Sequence, residues 1–142
     1  MAEAIPGISR VFYRWLLAVL LILSSSGVLW IVLHYFFAAH SEFGSAPNPA
    51  EPTLLRIHGI AAVAGVFLLG GIVTGHIAAG WNKARNRPSG ITLAIAAITL
   101  ILSGYALYYV TGDSLRGGIA IAHEVAGIAA IAVALLHWKR RK

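Results

Sequence analysis

HGIAAVAGVFLLGGIVTGH runs from His58 to His76 and carries no charged residue between its two histidines. An α-helix turns once every ~3.6 residues, so a step of 18 residues makes about five whole turns. Both imidazoles then leave one face of one helix. At roughly 1.5 Å of rise per residue they stand about 27 Å apart, close to the ~30 Å thickness of a bilayer core. A helix this apolar belongs in a membrane, with one histidine near each surface.

The rest of the chain agrees. Of its 142 residues 58% are hydrophobic and only 11% charged, against roughly 25% charged in an ordinary soluble domain. The class is all-α integral membrane, in one domain. The net charge of +6 looks like a nucleic-acid signal until the basic residues are placed. Most sit in three short clusters between or beyond the apolar runs, as membrane topology requires, so no nucleic-acid partner is expected. There is no cysteine. Disulfides, iron–sulfur clusters and thiolate metal sites are therefore excluded, and any cofactor is held by histidine, carboxylate or backbone.

Four spans are expected, at about 11–39, 54–81, 89–110 and 116–138. The first is too long for the apolar core of a signal peptide, so it reads as a retained helix. Its three serines are able to bond to their own helix and do not prevent spanning. SEFGSAPNPAEPT, residues 41–53, reads as an irregular loop because its three prolines break a helix. The amino terminus, the NKARNRP loop with Lys83, Arg85 and Arg87, and the KRRK end are basic; the other two loops hold Glu42, Glu51 and Asp113. A four-helix bundle with both termini cytoplasmic satisfies this pattern. Trp15, Trp81 and Trp138 then fall at the inner interface and Tyr108 and Tyr109 near the outer one. No repeat of 20–50 residues is apparent.

The histidines acquire depths from this topology. His58, His123 and His34 lie at the outer side; His76 and His137 lie at the inner side; His40 is past the membrane edge, a loop or surface residue. His123 and His137 are fourteen residues apart, about 3.9 turns, and share a face within roughly 40°. The second and fourth helices run in the same direction, so their histidines match outer to outer and inner to inner. A haem iron takes two axial imidazoles, and facing helices supply them. Two such pairs predict two haem b groups: His58 with His123 on the outer iron, His76 with His137 on the inner one. Gly65 and Ala62 on the second helix, and Gly127, Ala130 and Ala134 on the fourth, lie near the histidine lines. Small residues there serve either close helix contact or room for a flat macrocycle. His34 is an alternative outer ligand, with Gly27 on its face, and is also open to reading as a quinone-site or interfacial residue. Arg56, two residues before His58, is the best candidate partner for a haem propionate, ahead of Arg116, Arg85 and Arg87. Glu124 is the acid best placed near a haem, as a proton acceptor from a quinol or a solvated interfacial charge.

Two other classes compete. A histidine-based zinc transporter lacks a midplane site, since the inner and outer pairs stand ~20 Å or more apart. A cofactor-free membrane anchor leaves the matched depths and faces without a cause.

Several local patterns add a family resemblance. They are Arg56-Ile57-His58-Gly59, Gly75-His76 with Trp81, Asn86-Arg87-Pro88-Ser89-Gly90, Ser103-Gly104-Tyr105-Ala106-Leu107-Tyr108-Tyr109, and the pair His123 and His137. From about Leu54 onward the chain resembles small bacterial di-haem cytochromes b of the nickel–iron hydrogenase and formate dehydrogenase type. In those proteins the inner haem usually takes one ligand from the cytoplasmic end of the first helix; this chain has no histidine there, and His76 stands in. The resemblance implies transmembrane electron transfer in a bacterial inner membrane, between a periplasmic or membrane redox protein and the quinone pool or the other face. It implies an electron-carrier subunit of an oxidoreductase rather than an enzyme acting alone.

Overall fold

A computed structural model describes residues 8–41, 44–77 and 87–139 of the protein. Its helices are α1 (Arg10–Phe36), α2 (Glu51–Gly71), α3 (Arg87–Tyr109) and α4 (Asp113–Lys139). All four, α2 together with the turn that extends it, are long and apolar enough to cross a membrane. Trp81, Lys83, Arg85 and Glu42 lie outside the described residues.

The helices form two compact units, one built on α1 and α2, the other on α3 and α4. Each unit is an antiparallel hairpin. In the first, Phe12 lies against Gly71 and Leu23 and Val19 lie against Gly65, so α1 ascends as α2 descends. Among the described residues few side chains are shut in: Val19 and Ala61 are the buried apolar ones, while Phe67 remains 81% exposed. In water such apolar surface is a liability; in lipid it meets a solvent of its own kind.

Helix boundaries differ from the sequence expectation for local reasons. α2 begins at Glu51 rather than Leu54, with Pro52 in its first turn. A proline there gives up only an N–H that has no helical partner anyway, so it starts a helix rather than breaking one. Pro88 does the same at the start of α3. α4 begins at Asp113, whose carboxylate sits favourably at the positive end of the helix dipole. Ser9 caps α1 by accepting a hydrogen bond from the Phe12 N–H at 3.2 Å. Between α1 and α2 the expected irregular loop contains a ribbon, β1 (Ala39–Ser41) paired antiparallel with β2 (Gly44–Ala46). Gly44, at φ 110°, adopts the left-handed region where a side chain is strained. His40 lies on β1, opposite Ser45.

α2 is not α-helical to its end. Ile72–Ile77 form a π-helical turn that contains His76. Just before it come Gly70 and Gly71, and the Thr74 hydroxyl donates back to the Gly70 carbonyl at 3.1 Å. A π turn closes each hydrogen bond five residues back and takes more residues per turn. The five-turn count from His58 therefore applies as far as Gly71, and His76 is rotated away from the His58 line.

Candidate functional site

Three of the four histidines expected to bind haem have the same setting. Ser26 Oγ lies 3.0 Å from His58 Nδ1, Ser103 Oγ 2.8 Å from His123 Nδ1, and Ser89 Oγ 2.8 Å from His137 Nδ1. In every case the serine belongs to the other helix of the same hairpin. Its next residue is a glycine that leaves space for the ring. A Cβ on Gly27 would stand 3.3 Å from His58 Cε1, one on Gly104 3.3 Å from His123 Cε1, and one on Gly90 3.8 Å from His137 Cε1. The chain has three Ser-Gly dipeptides, 26–27, 89–90 and 103–104, and each of them faces a histidine.

The serines also select a tautomer. Ser26 Oγ donates its proton to the Ile22 carbonyl at 2.6 Å, and Ser103 Oγ donates to the Thr99 carbonyl at 2.6 Å. With the hydroxyl proton engaged, the oxygen is left to accept, so His58 and His123 donate from Nδ1. Each Nε2 then keeps its lone pair. Histidines that bind metal are commonly anchored in this way at one ring nitrogen and bind through the other.

The two hairpins thus repeat one device, at a period longer than 20–50 residues. HGIAAVAG from His58 and HEVAGIAA from His123 stand 65 residues apart and are close in side-chain size except at Gly59 and Glu124. Serine and histidine are 32 residues apart in the first hairpin and 20 in the second; the β-ribbon and its flanking turn take up the difference. His76 has a different setting. One turn before it, the ring of Phe12 approaches to 2.6 Å from where a Cβ on Gly71 would be.

No protein-family model matches the chain, and no curated protein or solved structure matches it. The site is therefore read from its own geometry.

Within a hairpin the two predicted ligands lie toward opposite ends, so each hairpin offers one imidazole near each end. Among the described residues no three or more His, Asp or Glu side chains gather as a metal cluster. Gly65 packs on Leu23, and Gly127 faces Leu100, so close contact within the hairpin accounts for both. Ala130 is partly buried on α4, and Arg56 is exposed on α2. Arg116 is engaged within its own hairpin, where its guanidinium donates to the carbonyls of Leu107 and Val110 at the carboxyl end of α3.

His34 stands apart from the serine-held histidines. Its Nδ1 lies 3.1 Å from Glu51 Oε2, and the carboxylate is also bonded by the Asn48 N–H to Oε1 at 2.9 Å. Glu51, read from the sequence as a loop charge, is only 6% exposed. The His34 ring stacks on Trp30 with centroids 4.5 Å apart, and Tyr35 meets it edge-on. Gly27, which the sequence places on the face of His34, makes room for His58 instead.

Proposed function

We propose that the protein is a di-haem b-type cytochrome that transfers electrons across a bilayer. In this reading His58 and His123 would hold the outer haem, and His76 and His137 the inner one. One observation carries this reading. Imidazoles on α2 and α4 are anchored at Nδ1 by a serine and relieved of crowding by the adjacent glycine. A structural histidine needs a hydrogen bond; it does not need the same Ser-Gly device three times over.

The residues fit such a group. When bound, each haem supplies an iron that takes up and releases one electron. The serines hold the rings, and Ser26 and Ser103, by accepting from Nδ1, would raise the basicity of the opposite nitrogen. Gly27, Gly90 and Gly104 let the neighbouring helix approach without displacing the ring. Apolar side chains around both hairpins would keep water away, and Arg56, exposed on α2 two residues before His58, would pair with a propionate.

The basic ends support a topology with both termini cytoplasmic. The further reading is a bacterial inner membrane carrier that links a periplasmic or membrane redox partner with the quinone pool or the other membrane face. A dithionite-reduced minus oxidised spectrum, with haem measured by the pyridine method, tests the core of this. About two low-spin b haems per chain are expected, and His76→Ala and His137→Ala should each remove the same one. A folded, haem-supplied sample without haem defeats the proposal and returns zinc binding or a bare anchor.

A further inference from the structure

We propose that the protein also binds a small neutral π-acceptor ligand, of the carbon monoxide class, at the inner iron in place of His76. The π turn Ile72–Ile77 is the hinge on which His76 moves aside. The inference rests on the di-haem reading for its iron.

The hinge has a fixed base. At Gly71 the Phe12 ring comes to 2.6 Å from where a Cβ would stand. A side chain there has no room, and α1 pins α2 at this level. The π turn opens at the next residue. Within it Val73 is 50% exposed and Thr74 is exposed too, so that side of the turn is unpacked. His76 sits near the end of this arm. The other three proposed ligands, His58, His123 and His137, are carried by α-helical backbone.

A π turn takes one residue more than the α-helical path it replaces, and such insertions collect at functional sites. With α closure His76 falls on the line of His58, as the pairing of the four histidines requires. With π closure the ring is turned away by one residue's rotation, about 100°. The two closures differ in which carbonyl each N–H meets, and Thr74 bears on the choice. Its hydroxyl donates to the Gly70 carbonyl at 3.1 Å and to the Gly71 carbonyl at 3.3 Å. With α closure the Gly70 carbonyl belongs to the Thr74 N–H. A side chain that takes that place offsets the loss of the backbone bond. The withdrawn form is thereby kept within reach of the ligated one.

The exchange balances. The bond between ferrous iron and a ring nitrogen of His76 breaks, and a bond from iron to the carbon of the ligand forms. Iron stays ferrous, and no electron or proton leaves. The number of axial ligands is unchanged, whereas His76→Ala removes one. A ligand that binds only the withdrawn form draws the hinge toward it, and its apparent affinity scales with the withdrawn fraction. The outer pair has no such hinge, so the outer haem stays closed to the same ligand.

The test titrates the dithionite-reduced, full-length holoprotein in detergent with carbon monoxide. The Soret band of about one haem in two should shift. Thr74→Val keeps the shape of the side chain and removes the hydroxyl. It should raise the carbon monoxide concentration for half-saturation ~5-fold, the effect of losing one hydrogen bond. Thr74→Ser keeps the hydroxyl and should match the wild type. Haem content should be the same in all three. Amides of Ile72–Ile77 should exchange with deuterium faster when carbon monoxide is bound, and those of Ala61–Leu69 should not change. Two haems with no carbon monoxide shift overturn this proposal alone. So do equal affinities in Thr74→Val and the wild type, or faster exchange around His137 in place of Ile72–Ile77. A wild type without haem overturns the di-haem reading and this proposal together. If Thr74→Val does not accumulate, the exchange measurement on the wild type decides.

Discussion

The hydroxyl of Ser103, already donating to the Thr99 carbonyl, accepts from His123 Nδ1. Removing it in Ser103→Ala leaves the Nδ1–H without this acceptor. In the proposed di-haem reading His123 would then be a less basic ligand and support ferric iron less well. With one hydrogen bond worth about 1 kcal/mol and ~59 mV per tenfold for one electron, the outer haem potential should rise by roughly 20–60 mV. A spectroelectrochemical titration measures it, and Ser103→Thr should restore most of the original value. The glycines make a graded set. Gly27→Ala and Gly104→Ala place a methyl 3.3 Å from an imidazole carbon and should weaken haem retention; Gly90→Ala, at 3.8 Å, should not, and gains up to about 1 kcal/mol of helix propensity. Haem-to-protein ratios after detergent washing separate the two outcomes. The placing of His123 and His137 on one face was legible in the sequence because their spacing along α4 follows from turn geometry, whereas the π turn takes His76 off the His58 line. Their serines were not, because a contact between two helices depends on how they are set against each other. The clue was there all the same: Ser89 and Ser103 are separated by the same fourteen residues as His123 and His137.

Helix termini and the π turn were the less legible elements. Pro52 and Pro88 act as breakers in a composition count and as starters in a first helical turn; only the direction of the chain distinguishes the two. Asn48 shows how the outer turn is held. Its side-chain amide donates to the Phe37 carbonyl at 2.8 Å, and its Oδ1 accepts from the Ala50 N–H at 3.0 Å. Asn48→Ala removes both bonds and should cost about 1–2 kcal/mol, read as a lower thermal midpoint of the detergent-solubilised protein. The π turn at Ile72–Ile77 was invisible because nothing in a residue count signals a change of pitch. Its bonds are less regular than those of the α-helix before it. Amides of Ile72–Ile77 should therefore exchange with deuterium faster than those of Ala61–Leu69, as mass spectrometry of peptides would show.

At the scale of the molecule, four apolar spans were legible from composition alone, and the tandem hairpins were not. Sequence identity between the halves is thin, and only the contacts reveal that each repeats the other. The absence of cysteine makes topology simple to probe. Ser45→Cys, on the ribbon, should react with a membrane-impermeant maleimide added outside intact cells, and Arg141→Cys should react only after permeabilisation. The reverse labelling would invert the proposed orientation.

The second hairpin has one more property. Its two serine–histidine contacts are separated by fourteen residues on both helices of the pair, so they fit together or fail together. Slipping α4 past α3 by a single turn would misplace both rings at once and seat neither against a hydroxyl. The contacts thus work as two teeth of one key, admitting a single alignment of greasy helices that would otherwise slide with little to stop them.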